Sequence, residues 1–435
     1  MQARALTLAG VPVSEIKTPA TPIERASDAT EKVASGLTRR RALGFLAGAA
    51  SVPALSLARL RPLRIGVIGS WSGPYAGGGR QFDAGMAVWL AAHNQHVAGR
   101  PVELLRRDVP GSAPELARRH AQELAEGERV DLLAGLDFSS NAYAVGTVAT
   151  QARLPLVVMN AASSGITARC PFAVRVSFTI GQVTLPLARW ALQQGLRDVC
   201  TVVADYASGV DAESAFVSGI TAGGGRVGAM LRVPLATLDY SAYMLRLREL
   251  RPQAVFFFLP SGQMPAGFLK FWRDRGMAET GIRLLATGDA TDDNYLEGIG
   301  ELADGLVTSH HYSFAHDTPA NRRFTAAFQT EYGDHLRPGY FAVAAHDALA
   351  AIDAAMSSPA ARSGPNAGAG SAPAGERLVD AFRGVRLDSP RGPIEIDAHT
   401  RDIVQTVYIR RVERREGRWI NREFERFDRV RDPGV

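Results

Sequence analysis

Between Leu63 and Ser309 short apolar runs alternate with helix-length segments, and the alternation restarts once, near residue 181. The first series predicts strands over Leu63–Gly69, Val102–Leu105, Val130–Leu133 and Leu156–Met159. Helices are expected between them, at Ala84–His93, Pro114–Ala125 and Asn141–Ala152. The second predicts strands Val199–Ala204, Val227–Val233, Ala254–Leu259, Ile282–Ala286 and Leu306–Ser309. Its helices are Val183–Gln194, Asp211–Thr221, Ala242–Leu250 and Gln263–Arg275. Strands separated by helical crossovers pair in parallel, because a tight turn serves only antiparallel neighbours. Ala254–Leu259 is apolar throughout, as a strand covered on both faces must be. The reading is therefore α/β, with two doubly wound parallel sheets.

Two long helices follow, over Pro319–Tyr332 and Tyr340–Met356, then a Ser/Ala/Gly/Pro-rich stretch, 357–375, read as a flexible insertion. Ile394–Ile396, Ile403–Val412 and Arg418–Phe424 alternate like strands, the last two around Glu416-Gly417. Ahead of all this, Arg39-Arg40-Arg41 precedes a short apolar segment, Ala42 to about Leu55, and a small-residue exit, Ser56-Leu57-Ala58. That is the layout of an export signal, and the arginines give it a twin-arginine character. Residues 1–58 are accordingly set apart from the fold. Export exposes Cys170 and Cys200 to an oxidising compartment, but nothing in the sequence brings them together, and two buried free thiols are expected.

The sequence pI of about 9.4 does not signal nucleic acid. Its 49 basic residues are nearly all arginine, scattered along the chain and almost balanced by 44 acidic ones, whereas a nucleic-acid binder concentrates its excess on one element. Gly66 to Gly79 give no G-x-G-x-x-G spacing, and no phosphate-cradling G-x-x-x-x-G-K-[ST] or nucleophile-elbow G-x-S-x-G occurs. His310, His311 and His316 lack metal-ligand spacing. No catalytic, cofactor or metal site is expected.

What remains is a set of polar loops at the carboxyl ends of the strands, where open α/β sheets bind ligands. They are Ser70–Tyr75, Asp137–Asn141, Asn160–Ser164, Asp205-Tyr206 and Gly288-Asp289. Hydroxyls and amides at helix starts suit a carboxylate. Ser139, Asn141 and Ser163 are also common helix caps, and both roles stay open at this point.

Several stretches carry a resemblance: Ile65–Ile68 leading to Ser72-Gly73-Pro74; Val102–Leu104 then Asp108; Val130-Asp131 then Gly135 and Ser139; Asp205-Tyr206 with Gly209; Leu238–Ser241 followed by Pro252–Val255; and Gly392–Asp397. Together they resemble the periplasmic type I solute-binding proteins of ABC importers, of the leucine/isoleucine/valine-binding kind. The resemblance implies two lobes joined by three crossings, placed near 176–180, 308–312 and 392–398. Residues 59–178 would start the first lobe, 179–309 the second, 310–391 would return to the first and 392–435 to the second. By the same resemblance, Ser139 and Asn160, Ala161 and Ser163 would hold a solute carboxylate. Tyr206 and Asp289 would close from the second lobe, with Asp289 on an α-ammonium and Tyr75 as aromatic contact. A hydrophobic or branched-chain amino acid is the leading cargo. Asn160–Ser163, Arg169–Phe172 and Asp205-Tyr206 also look like the subgroup taking aromatic acids, with Phe138, Tyr143 and Tyr75 as stacking walls. A periplasmic monomer handing its solute to a membrane permease is implied; a ligand-sensing receptor domain is the alternative of another class.

Overall fold

The computed structural model describes residues 61–362 and 375–434, so the export signal and most of the expected insertion lie outside the described residues. The strands are β1 Leu63–Gly69, β2 His96–Val97, β3 Arg100–Asp108, β4 Leu132–Gly135, β5 Leu156–Val158 and β6 Ala173–Arg175; β7 Asp198–Ala204, β8 Arg226–Val233, β9 Ala254–Phe258, β10 Arg283–Thr287 and β11 Val307–His310; then β12 Arg386–Ser389, β13 Gly392–Ile396, β14 Ile403–Arg415 and β15 Arg418–Val430. The first sheet runs β2-β3-β1-β4-β5-β6 and is parallel apart from the β2–β3 hairpin. The second runs β12-β13-β14-β11-β10-β9-β7-β8, parallel from β8 to β11, with antiparallel β14 added beside β11. This is the type I periplasmic binding protein fold of two doubly wound lobes. Every residue of β9 is buried, so its apolar run follows from helices on both faces.

Helices Pro319–Tyr332 and Tyr340–Ser357 return to the first lobe, where the latter packs on helix Ala76–Ala92 so closely that a Cβ on Gly85 would overlap the Ala342 carbonyl. The Gly/Ser stretch 70–79 reads as a loop in sequence, yet the helix begins at Ala76 and takes in Gly77, Gly78 and Gly79. Glycine there costs the helix about 1 kcal/mol per residue. Close neighbours require it: a Cβ on Gly77 would overlap the Tyr295 hydroxyl, one on Gly79 the Ser70 carbonyl, and one on Gly78 would lie 3.0 Å from the Phe341 ring.

The expected boundary at 391/392 falls inside a hairpin. β12 and β13 pair antiparallel about a turn at Pro390-Arg391, and Gly392 takes φ +96° just beyond it. The short β2, β6 and β12 escaped the sequence reading because two to four residues carry no measurable period. The edge of the expected insertion is helical at Pro359–Arg362 and resumes as helix Gly375–Ala381. β14 and β15 turn at Glu416 and Gly417, both with positive φ, as a two-residue hairpin turn demands. β15 pairs only with β14 among the described residues, and its free edge carries Arg418, Arg422, Glu423, Glu425, Arg426, Asp428 and Arg429. Cys170 and Cys200 are buried free thiols, as expected.

Polar side chains lace the crossings together. Fully buried Arg391 donates to the carbonyls of Val176 and Ser177 and to Gln405, and pairs with Asp347 at 3.0 Å. Gln405 in turn bonds Ser177 at 3.0 Å and Gln182 at 2.8 Å. His310 and His311, dismissed above as metal ligands, pack edge-on or tilted against Phe178 and Tyr340 in the interior; burial drives both pKa values well below the usual histidine range, so they are neutral.

Candidate functional site

The carboxyl ends of both sheets face each other, and their loops are pinned before any solute is considered. Asp108 at the end of β3 accepts the amides of Trp71 and Ser72, at 2.7 and 3.2 Å, fixing the loop that carries Tyr75. Arg175 at the end of β6 is completely buried; it pairs with Asp402 at 2.9 Å and donates to the Ser163 carbonyl at 2.6 Å, supporting the Asn160–Ser163 loop from below.

Between the lobes lies a cavity of about 40 Å³, lined by Tyr75, Asp137, Phe138 and Phe341 of the first lobe and by Tyr206, Ser261 and Tyr295 of the second. That space has room for a water-sized molecule and for nothing much larger. The walls are aromatic: Tyr75 meets Phe138 edge-on at 4.8 Å, and Tyr206 stacks on Phe258 at 6.1 Å and lies 6.2 Å from Phe138. Burial raises the pKa of Tyr75 and Tyr206, with the Asp137 charge adding for the first and Asp289 for the second.

The sequence-predicted residues divide into three groups. Tyr75 and Tyr206 line the cavity. Ser139, Asn160 and Ser163 cluster beside it: Ser139 Oγ accepts the Ser163 amide at 3.1 Å and meets Ser208 Oγ of the second lobe at 3.0 Å. No side-chain cap bond forms at that helix start, so Ser139 does not serve as its cap. Asn160 donates to the Asp137 carbonyl at 3.0 Å while its buried Oδ1 accepts nothing. Ala161 and Asp289 make up the third group. The Ala161 amide is tied to the Leu136 carbonyl at 2.8 Å and is not offered to a solute. Asp289 does not line the cavity; its oxygens accept from Thr287 at 2.8 Å and Tyr340 at 3.2 Å. Burial pushes its pKa up to about 6 against the opposing Thr287 bond. Asn141, offered as a cap, instead braces Gly111 and Ala113.

Sequence reasoning missed Phe341, Ser261 and Tyr295, which reach the cavity from segments with no motif of their own. Behind them sits Asp292, holding Ser261 at 3.0 Å, its pKa pushed up to about 7 by burial. A carboxyl that binds its proton more tightly when folded gives stability at low pH that is lost as pH rises through the folded pKa. An Asp292→Asn variant should therefore gain on the wild type, in chemical denaturation, as pH rises from about 4 to 7. A difference independent of pH would show that Asp292 is not desolvated in the fold.

Comparison with known proteins follows this geometry. The periplasmic binding protein family profile matches residues 62–418. The Leu/Ile/Val-binding protein homolog 6 of Brucella melitensis is 39% identical over 383 residues, covering 88% of this chain and 96% of that one. A solute-binding protein of an ABC transporter from Rhodopseudomonas palustris, solved in complex with 4-hydroxybenzoate, is 38% identical with a TM-score of 0.81, covering 86% of this chain and 99% of that chain. A second R. palustris solute-binding protein, solved with 3,4-dihydroxybenzoic acid, is also 38% identical, with a TM-score of 0.79 and the same coverage.

Proposed function

The chain belongs to the periplasmic binding protein family, and from that premise we propose that it captures a small aromatic carboxylate for an ABC importer. The family implies a small-molecule ligand, a permease partner and export to the periplasm. The observation that carries the aromatic reading is the cavity wall of Tyr75, Phe138 and Tyr206, set beside the hydroxyls of Ser139 and Ser208. Flat aromatic faces enclose a ring, and hydroxyls at one end receive its carboxylate. Asp289 counts against an α-amino acid. A buried ammonium needs a facing anion, and Asp289 lies outside the cavity lining, bonded to Thr287 and Tyr340. The R. palustris proteins solved with hydroxybenzoates support the same reading. The Brucella relatives' names favour leucine, isoleucine or valine, and that reading competes with ours.

Capture works by domain closure: the solute seats on the first lobe, and the second lobe brings Tyr206 and Ser208 over it. Titration calorimetry should give binding of 4-hydroxybenzoate and no measurable heat with leucine; the reverse pattern establishes an amino-acid binder. Ser139→Ala should weaken aromatic-acid binding by about 1–3 kcal/mol, the cost of leaving a charged group short of a donor. An unchanged affinity removes Ser139 from the site.

We further propose that residues 1–58 are a twin-arginine export signal, from Arg39-Arg40-Arg41 and the apolar segment after them. Changing all three arginines to lysine should leave the protein in the cytoplasm; normal export of that variant would assign the signal to the general secretion route.

A further inference from the structure

The Asp137 carboxyl at the cavity wall has unequal oxygens. Oδ2 is held by the Ser70 hydroxyl, whereas Oδ1 is buried and accepts no hydrogen bond. Backbone amides of Ser70, Asp137 and Phe138 lie near enough to ease a charge there, but none bonds Oδ1 with acceptable geometry. An orphaned buried acceptor is destabilising and needs a donor when water is expelled. The hydroxyls in the lining, those of Tyr75, Tyr206, Ser261 and Tyr295, make no bond to Oδ1, which leaves the acceptor open to a donor on the solute. Resting on the aromatic-acid reading, we propose that Asp137 determines specificity by accepting a hydrogen bond from a ring hydroxyl, so that hydroxylated benzoates are selected over benzoate.

The local backbone sets where that hydroxyl must sit. Phe138, between Asp137 and Ser139, is extended, at φ −111° and ψ 137°. Two residues of extended chain span about 7 Å, comparable to a benzene ring with substituents at both ends. A carboxylate at Ser139 and a para-hydroxyl at Asp137 match that spacing. An α-ammonium, on the carbon next to its carboxylate, does not reach across it.

The solute's negative charge is compatible with Asp137. Ser70 Oγ has one proton and a second acceptor, the Val109 carbonyl at 2.7 Å. With the Ser70 proton turned to the Val109 carbonyl, the Ser70–Oδ2 bond can reverse, a protonated Asp137 donating from Oδ2 to Ser70 Oγ. Burial raises the Asp137 pKa to about 6, and a solute carboxylate entering the closed cleft pushes it further in the same direction, so the proton is taken up with the solute. Oδ1 is then a neutral acceptor and brings no second charge to the solute.

The test is calorimetry of benzoate and 4-hydroxybenzoate with the wild type, Asp137→Leu and Asp137→Asn. The wild type should prefer 4-hydroxybenzoate by about 100-fold or more, since a site built to bond a hydroxyl strongly rejects the analogue lacking it. In Asp137→Leu the preference should fall to within about threefold, with benzoate bound at least as well as by the wild type. Asp137→Asn keeps the shape and an acceptor oxygen and should retain part of the preference; it serves if the leucine variant does not fold. Equal wild-type affinities, or a full preference surviving in Asp137→Leu, overturns the assignment while leaving the aromatic-acid reading intact. Failure of the wild type to bind either acid defeats that reading, and this assignment with it.

Discussion

Replacing Arg391 by methionine should lower the unfolding free energy by about 3–5 kcal/mol, the cost of removing one partner of a buried ion pair. Arg391 is 2% exposed and touches three separate parts of the chain: the carbonyls of Val176 and Ser177, Gln405 of β14, and Asp347 in helix Tyr340–Ser357. Without it Asp347 keeps the Ser389 hydroxyl, at 2.7 Å, but loses its cation in a site where water cannot substitute. Two carbonyls of the first crossing lose a donor as well. Removing the charge pair together, by Arg391→Met with Asp347→Leu, should recover much of the loss, because two apolar groups leave no orphaned ion. Urea denaturation reads both variants. A single variant within about 1 kcal/mol of the wild type would mean that the pair contributes nothing net.

Gly77→Ala should weaken solute binding by about 5- to 150-fold, equivalent to an overpacking cost of about 1–3 kcal/mol. The new methyl group would occupy the position of the Tyr295 hydroxyl, which the second lobe brings against helix Ala76–Ala92. The same interface carries Gln81, which donates to Asn294 across the lobes at 3.0 Å. Closure with solute bound is what the methyl group opposes. The separated lobes gain helix propensity from the change, so thermal unfolding without solute should be unaltered or slightly higher. Small-angle scattering should show a larger radius for the solute-saturated variant than for saturated wild type. Wild-type affinity and radius together would mean that Tyr295 moves aside at no cost.

Much of the fold was legible because helical crossovers leave few choices for the strands they join. Once Leu63–Gly69 and Ala254–Leu259 were recognised as buried strands, parallel sheets and ligand loops at their carboxyl ends followed. The candidate site was legible where it is local in sequence, to the extent that Ser139 and Ser163, read as neighbours, come from adjacent loops and meet at 3.1 Å. It was illegible where it is assembled across the cleft. Nothing near Tyr295 or Phe341 marks them as wall residues; Gly77 and Gly78 record their approach only as missing side chains. Asp289 shows the limit of transferring a role by position. Its loop is where the resemblance put it, but Thr287 and Tyr340 decide what its carboxylate faces.

The free edge of β15 bears on how the protein behaves in a crowded compartment. An open strand edge of this length presents a row of backbone donors and acceptors that a second molecule could extend into a shared sheet. Seven charged side chains stand along it, from Arg418 to Arg429. Any molecule adding a strand there must strip water from them, and that desolvation opposes pairing before backbones can register. Neutral substitutions along Arg418–Val430 would leave the cleft untouched and emerge as precipitation, a colloidal failure unconnected with solute recognition.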